Sequence, residues 1–235
     1  RFIVEGEHIL QRLISSEIEL ESVVVSSRKS ATIEPLVPGG VQVYVLSDRE
    51  IEKLVGFKFH RGVLGCGIRP ARQPFASLQV PADEPLRIIA CPEITDAENL
   101  GSIIRTGRCL GVSAVVLGER CTDAYSRRCI RVSMGTVFSL PVYRSEDLVS
   151  ELLSLTRRRD IQVVAAVAEE GAQSLLSVVP ARDWCVLLGN EEAGLGEEIL
   201  KLCGTRVCIP MAQGVDSLNV SVAAGIILHH LSADS

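Results

Sequence analysis

Residues 87–117 read RIIACPEITDAENLGSIIRTGRCLGVSAVVL. RIIAC and SAVVL are short apolar runs without polar alternation, the signature of strands covered on both faces. Between them, Leu100, Ile103, Ile104 and Leu110 recur at helical spacing. A buried strand, a helix and a second buried strand in about 30 residues make a parallel crossover unit.

The alternation continues toward the C-terminus. Residues 123–133 predict a helix, FSLPVY (138–143) a short strand, and residues 146–158 an amphipathic helix ending in Arg157, Arg158 and Arg159. IQVVAAV (161–167), WCVLLG (184–189) and TRVCIP (205–210) read as strands, GEEILKLC (196–203) as a short helix. Asn219–Leu231 is a nearly all-apolar helix that must be covered on most sides, by the core or by a second copy of the chain. Residues 86–235 therefore predict a parallel α/β sheet domain.

Residues 1–72 predict a smaller α/β unit. Ile9, Leu10, Leu13 and Ile14 have helical spacing, ELESVVVSS (19–27) and VQVYVL (41–46) read as strands, and Ser47 with Glu50 makes a capping-box helix start. HRGVLGCGIRP (60–70) closes the unit, and QPFASLQVPADEP (73–85), with three prolines and no clear period, reads as a linker.

Hydrophobic residues make up 47% of the 235 residues, enough for a sizeable core, and no apolar run reaches membrane-spanning length. None of the eight cysteines forms a Cys-x-x-Cys pair and no histidine lies near Cys203 and Cys208, so no metal is expected. Several cysteines sit inside apolar runs, as small hydrophobes in a reducing, cytoplasmic compartment would. The net charge of −5 argues against nucleic acid, but from Asn99 to Arg131 six arginines face only Glu119 and Asp123. A solvated helix face and a phosphate-binding surface both account for that cluster; the preference for arginine favours phosphate.

Three loops follow strands of the larger unit, where parallel sheets bind ligands. The first carries Asn99, Gly101 and Arg105; Asn99 reads as a helix N-cap, and Arg105, among apolar neighbours, calls for an anionic partner or a polar cavity. The second is VLLGNEEAGL (186–195), with Gly189, Glu191, Gly194 and Leu195. The third, IPMAQGVDSLNVSVAAG (209–225), places Ser217 and Asn219 at the start of the last helix.

Taken together, Asn99–Gly101–Arg105, Gly189–Glu191–Gly194–Leu195 and Ile209–Pro210–Met211 with Ser217–Leu218–Asn219–Val220–Ser221 resemble the three motifs of the SpoU/TrmH branch of the SPOUT RNA methyltransferases. The resemblance spans residues 86–235, with minor departures at Ala97, Thr106 and Gly107. VEGEHILQRLI (4–14) and HRGVLG (60–65) are similar to the substrate-binding domain of many such enzymes, which has the fold of small kink-turn-binding ribosomal proteins.

This resemblance implies a deep trefoil knot near the C-terminus and a homodimer packed partly through the last helix. It implies S-adenosylmethionine as cofactor, held by Gly189, Ile209 and Leu218 with Leu188 and Met211 beside them, and methylation of a ribose 2′-hydroxyl. Arg105 would activate the hydroxyl, within its own subunit or across the dimer, with Asn99, Glu191, Ser217 and Asn219 positioning it. RNA contacts are expected at Arg28, Lys29, Arg61, Arg69, Arg108, Arg127 and Arg128. Ribosomal RNA is favoured over transfer RNA. The alternatives are a non-catalytic RNA-binding or assembly factor, a transfer-RNA 2′-O-methyltransferase and a base-nitrogen methyltransferase.

Overall fold

The computed structural model describes residues 1–79, 82–169, 171–190, 193–212 and 217–233. In chain order the first unit comprises β1 (Phe2–Glu5), α1 (Glu7–Ile14), β2 (Leu20–Ser26), a four-residue α2 (Ser30–Ile33), β3 (Gln42–Leu46), α3 (Asp48–Val55) and β4 (Val63–Gly67). Its four strands form a sheet in the order β1-β4-β2-β3, parallel only between β2 and β3. The capping box of α3 forms as its sequence predicts: the Glu50 amide donates to Ser47 Oγ, and the Ser47 amide donates back to Glu50 Oε2 at 2.8 Å.

The second unit runs β5 (Gln73–Pro74), β6 (Arg87–Cys91), α4 (Ala97–Cys109), β7 (Ala114–Leu117), α5 (Arg127–Val132), β8 (Val142–Arg144), α6 (Leu148–Arg158), β9 (Gln162–Ala166), β10 (Gln173–Ser174), β11 (Trp184–Leu188), α7 (Glu197–Leu202), β12 (Thr205–Cys208) and α8 (Val220–Ser232). Its sheet has the order β10-β12-β9-β11-β6-β7-β8-β5, and every pairing is parallel. Strands β6, β7 and β11 are buried almost throughout, which explains why they lack alternation.

The period of two sorts their side chains between the faces. Ile89, Cys91, Val115, Leu117, Val186 and Leu188 pack with residues of α4 and α8. Ile88, Ala90, Ala114, Val116, Cys185 and Leu187 pack with Leu152 and Leu155 of α6 and Leu200 of α7. All eight cysteines are free, and burial pushes the Cys129 thiol up to about 12 and the Cys203 thiol up to about 11.

The first apolar layer continues into the small sheet, for it contains Phe2, Val4, Ile9 and Leu10 alongside Val137 and Phe138. The Phe2 ring stacks on Phe138 and tilts against Tyr125, both at 5.5 Å between centroids. Around this contact Arg69 grips Asp123 with two hydrogen bonds of 2.7 Å, and Arg12 donates to the Met134 carbonyl at 2.6 Å. Glu5, buried at the end of β1, pairs with Arg127 at the start of α5.

Several local expectations are corrected. The helix expected over 123–133 covers Arg127–Val132 only, and of FSLPVY only Val142 and Tyr143 lie in a strand, β8, after a 3-10 turn at Thr136–Phe138. Within 73–85, Gln73–Pro74 pairs with β8, and Phe75 and Leu78 are buried, so that part of the segment is tied to the large sheet. Among the described residues, no helix is long and apolar enough to cross a membrane.

Candidate active site

The loops that matter leave the sheet at one height. Leu188 of β11 and Val207 of β12 both pair with Ala166 of β9, so the two strands end level, about 10 Å apart across one intervening strand. On the other side of β11, Leu187 pairs with Ala90, which puts Cys91, the last residue of β6, at the same level.

The chain leaving β11 bridges back on itself. Asn190 and Gly194 exchange backbone hydrogen bonds of 3.1 and 2.9 Å. Gly194 has φ +64°, which a side chain disfavours, and a Cβ on Gly189 would lie 2.5 Å from the Gly194 carbonyl carbon. Both glycines are thus required by the turn, and the backbone at Gly189 stays bare.

The third loop returns to the first. Asn219 Nδ2 donates to Asn99 Oδ1 at 3.0 Å. Asn219 is also the N-cap of α8, its Oδ1 accepting from the Ser221 amide at 2.9 Å. At the far end Ser232 Oγ donates to the Leu110 carbonyl at 3.1 Å, so α8 lies parallel to α4 along its length. α8 packs between α4 and the segment after β10, for His230 Nε2 lies 2.9 Å from the Val178 carbonyl oxygen. Leu218, half-buried, immediately precedes the N-cap of α8, and Ile209, packed against the core, immediately follows β12.

This arrangement fits S-adenosylmethionine. Ile209, Met211 and Leu218 supply apolar surface at the strand ends, with Met211 39% exposed, whereas Leu188 is buried in the core beneath them. Gly189 directly follows the last residue of β11, so its main-chain groups lie at the strand end where an adenine edge can meet them. No Gly-x-Gly-x-x-Gly phosphate loop follows any strand, as suits a cofactor without phosphate.

Asn99 is not an N-cap. Asp96 caps α4 by accepting from the Glu98 amide at 2.7 Å, and Asn99, only 8% exposed, sits within the first turn. Gly101 opens the second turn; a Cβ there would meet the Cys129 carbonyl oxygen at 2.9 Å, so it lets α5 close on α4. Arg105 is not enclosed either. Ile103 and Ile104 turn into the core, whereas Arg105 is exposed and, among the described residues, its side chain has no ion pair or hydrogen bond. Ser217 is exposed beside Asn219, and Glu191 lies outside the described residues.

The arginine and lysine candidates are largely engaged. Arg28 pairs with Asp48, Lys29 with Glu7, Arg69 with Asp123, Arg127 with Glu5 and Arg128 with Glu98. Arg61 donates to the Glu5 carbonyl and Arg108 to Ser139 Oγ. Burial alone would push the Asp123 carboxyl up, but the Arg69 bonds and the Tyr125 amide outweigh it and hold the group below its ordinary value.

Sequence reading missed Arg144, which ends β8 and donates to the carbonyls of Gly118, Cys121 and Thr122, pinning the loop after β7. Its position after an apolar strand was the available signal. Asp96 was missed as well, although an aspartate immediately before a helical run is a common cap.

The SpoU rRNA Methylase family profile matches residues 86–229. An uncharacterized tRNA/rRNA methyltransferase of Mycobacterium tuberculosis is 33% identical over 97% of this chain and 79% of its own length. The 23S rRNA (guanosine(2553)-2′-O)-methyltransferase RlmP of Bacillus subtilis is 25% identical over 98% of this chain and 88% of its own. The crystal structure of an AdoMet-bound rRNA methyltransferase from Sinorhizobium meliloti superposes with a TM-score of 0.82 at 27% identity, covering 98% of this chain and 86% of that one. That profile spans more than half of the chain, which belongs to the SpoU rRNA methylase family.

Proposed function

We propose that this protein transfers the methyl group of S-adenosylmethionine to a ribose 2′-hydroxyl of ribosomal RNA. The observation that carries the reading is the Asn219–Asn99 bond, which draws the third motif to the first. The names of RlmP and of the AdoMet-bound neighbour support the chemistry and the RNA class.

The cofactor, when bound, supplies a sulfonium methyl as electrophile. Gly189, Leu188, Ile209, Met211 and Leu218 hold and orient it, excluding water from its apolar faces. The remaining need is alignment and activation of a poor nucleophile. Arg105 is the residue for that role. A guanidinium gives hydrogen bonds and accepts none, so Arg105 holds the adjacent phosphate and stabilises negative charge on the ribose oxygen as its proton passes to solvent water. Asn99, Ser217 and Asn219 fix the geometry around it, and Glu191 is assigned to the same task from its motif.

The small N-terminal unit, residues 1–72, grips the RNA, with Arg28, Lys29, Arg61 and Arg69 on that unit and Arg108, Arg127 and Arg128 beside it. The active form is a homodimer. Val222 and Ile226, one turn apart on α8, are 50% and 41% exposed and present an apolar stripe away from the core.

The test is methyl transfer from labelled S-adenosylmethionine into ribosomal and transfer RNA fractions, followed by alkaline hydrolysis. Label in alkali-resistant dinucleotides of ribosomal RNA is expected. Label in alkali-labile nucleotides would mean a base methylase, and cofactor binding without transfer to any RNA would mean an assembly factor.

A further inference from the structure

A cleft of about 390 Å³ opens where the two sheets meet, lined by Glu5, Phe57, Arg127, Arg128 and Arg131. Phe57 is a large aromatic left 47% exposed. Its ring is held on two sides: the Arg127 guanidinium sits over it at 5.2 Å from the centroid, and Phe59, buried beneath, meets it edge-on at 6.2 Å. Arg127 in turn is fixed by buried Glu5, and Arg61 of the same loop as Phe57 is tied to the Glu5 carbonyl at 3.1 Å. The aromatic is therefore a preorganised platform rather than a loose surface side chain.

The charges in the cleft are unequal. Glu5 neutralises Arg127, and Glu98 neutralises Arg128. Arg131 is half-buried and, among the described residues, its side chain has no ion pair or hydrogen bond. A guanidinium partly withdrawn from water beside an exposed ring calls for an anionic, planar ligand. A nucleotide has both parts, a base to stack and a phosphate to pair. The cleft also lies next to the candidate active site: α5, which carries the three arginines, closes on the first turns of α4 at Gly101, and Arg128 reaches Glu98, the neighbour of Asn99.

We infer that this cleft is a subsite for one unpaired nucleotide of the RNA substrate, its base stacked on Phe57 and its phosphate on Arg131. The inference rests on the RNA reading above and deepens it: the substrate would be RNA that offers a flipped-out or single-stranded nucleotide near the methylated one.

The probe is a fluorescein-labelled, unstructured oligouridylate dodecamer, whose binding is followed by anisotropy across a salt series. Phe57→Ala is expected to weaken binding about ten-fold at fixed salt without changing the salt slope. Phe57→Trp should bind at least as tightly as the parent chain. Arg131→Gln should lower the slope of log K against log salt by about 0.7, one phosphate contact in single-stranded RNA. S-adenosylmethionine affinity, measured by calorimetry, should be unchanged in all three. No measurable binding by the parent chain, or equal binding by Phe57→Ala, overturns the inference even where methyl transfer persists. The expected pattern in a chain that methylates no RNA would keep the cleft and remove the methyltransferase reading instead.

Discussion

One amide serves two motifs: Asn219 caps α8 through Oδ1 and, through Nδ2, holds Asn99 at 3.0 Å, 120 residues earlier in the chain. The two ends of the side chain can be separated by substitution. Asn219→Asp keeps the capping acceptor and loses the donor; Asn219→Ala loses both. Thermal melts should show Asn219→Ala destabilised by about 1–2 kcal/mol and Asn219→Asp much less. Cofactor affinity or turnover should fall in both. A wild-type-like Asn219→Asp enzyme would mean that the bond to Asn99 is incidental.

Arg105→Ala is expected to leave the melting temperature and cofactor affinity as they are, because the side chain is exposed and has no partner among the described residues. Single-turnover methyl transfer should drop by about 10²–10³-fold, the cost of removing one donor from developing oxyanion charge. Turnover within a few-fold of the parent would remove Arg105 from the mechanism.

The turn at Gly189 gives a third test. Gly189→Ala places a Cβ 2.5 Å from backbone of Gly194, which cannot swing aside as a side chain would, so the backbone at Gly194 must move. Loss of cofactor binding is expected by calorimetry, with the fold retained by circular dichroism. Leu218→Glu should abolish binding for a different reason, by putting a carboxylate against the cofactor's apolar faces. Unchanged affinity in both would place the pocket elsewhere.

Acid should act at two ion pairs. The hydrogen bond from Arg159, at 2.5 Å, holds the Asp183 carboxyl below its ordinary value, as Arg69 does for Asp123 against burial. A carboxyl lowered in the folded state contributes stability above its unfolded value, near 4, and that contribution is lost as pH falls through the folded value. Stability measured by denaturant titration should therefore decline below about pH 4. Asp183→Asn should be less stable than the parent at neutral pH and show a shallower decline. Parallel pH curves for the two chains would contradict this.

The strands and helices of the large sheet were legible because each carries its own periodicity, and the capping box at Ser47 and Glu50 is a purely local signal. What the sequence hid is of two kinds. Gln73–Pro74 and Gln173–Ser174, the two edge strands, are too short to have a period. The pairs Glu5–Arg127 and Arg69–Asp123 join residues far apart in the chain, which no local pattern can announce. The site was legible as three motifs, but Arg105 was read by its neighbours in sequence. Read by helical phase instead, with Leu100, Ile104 and Gly107 facing inward, it falls on the outer side of α4.

Phe2 spends its ring on Phe138 and Tyr125, inside the same apolar mass that floors the methyl-transfer loops. Hinging one sheet away from the other would drag aromatic rings into water, so the span from the small sheet to Arg105 has a set length. On the proposed reading, in which the small unit grips the RNA and Arg105 meets the ribose, the enzyme works as a caliper. An RNA is modified where its gripped element and its reactive ribose stand that far apart, and a nucleotide inserted between them would move the reactive ribose out of reach or shift methylation to its neighbour.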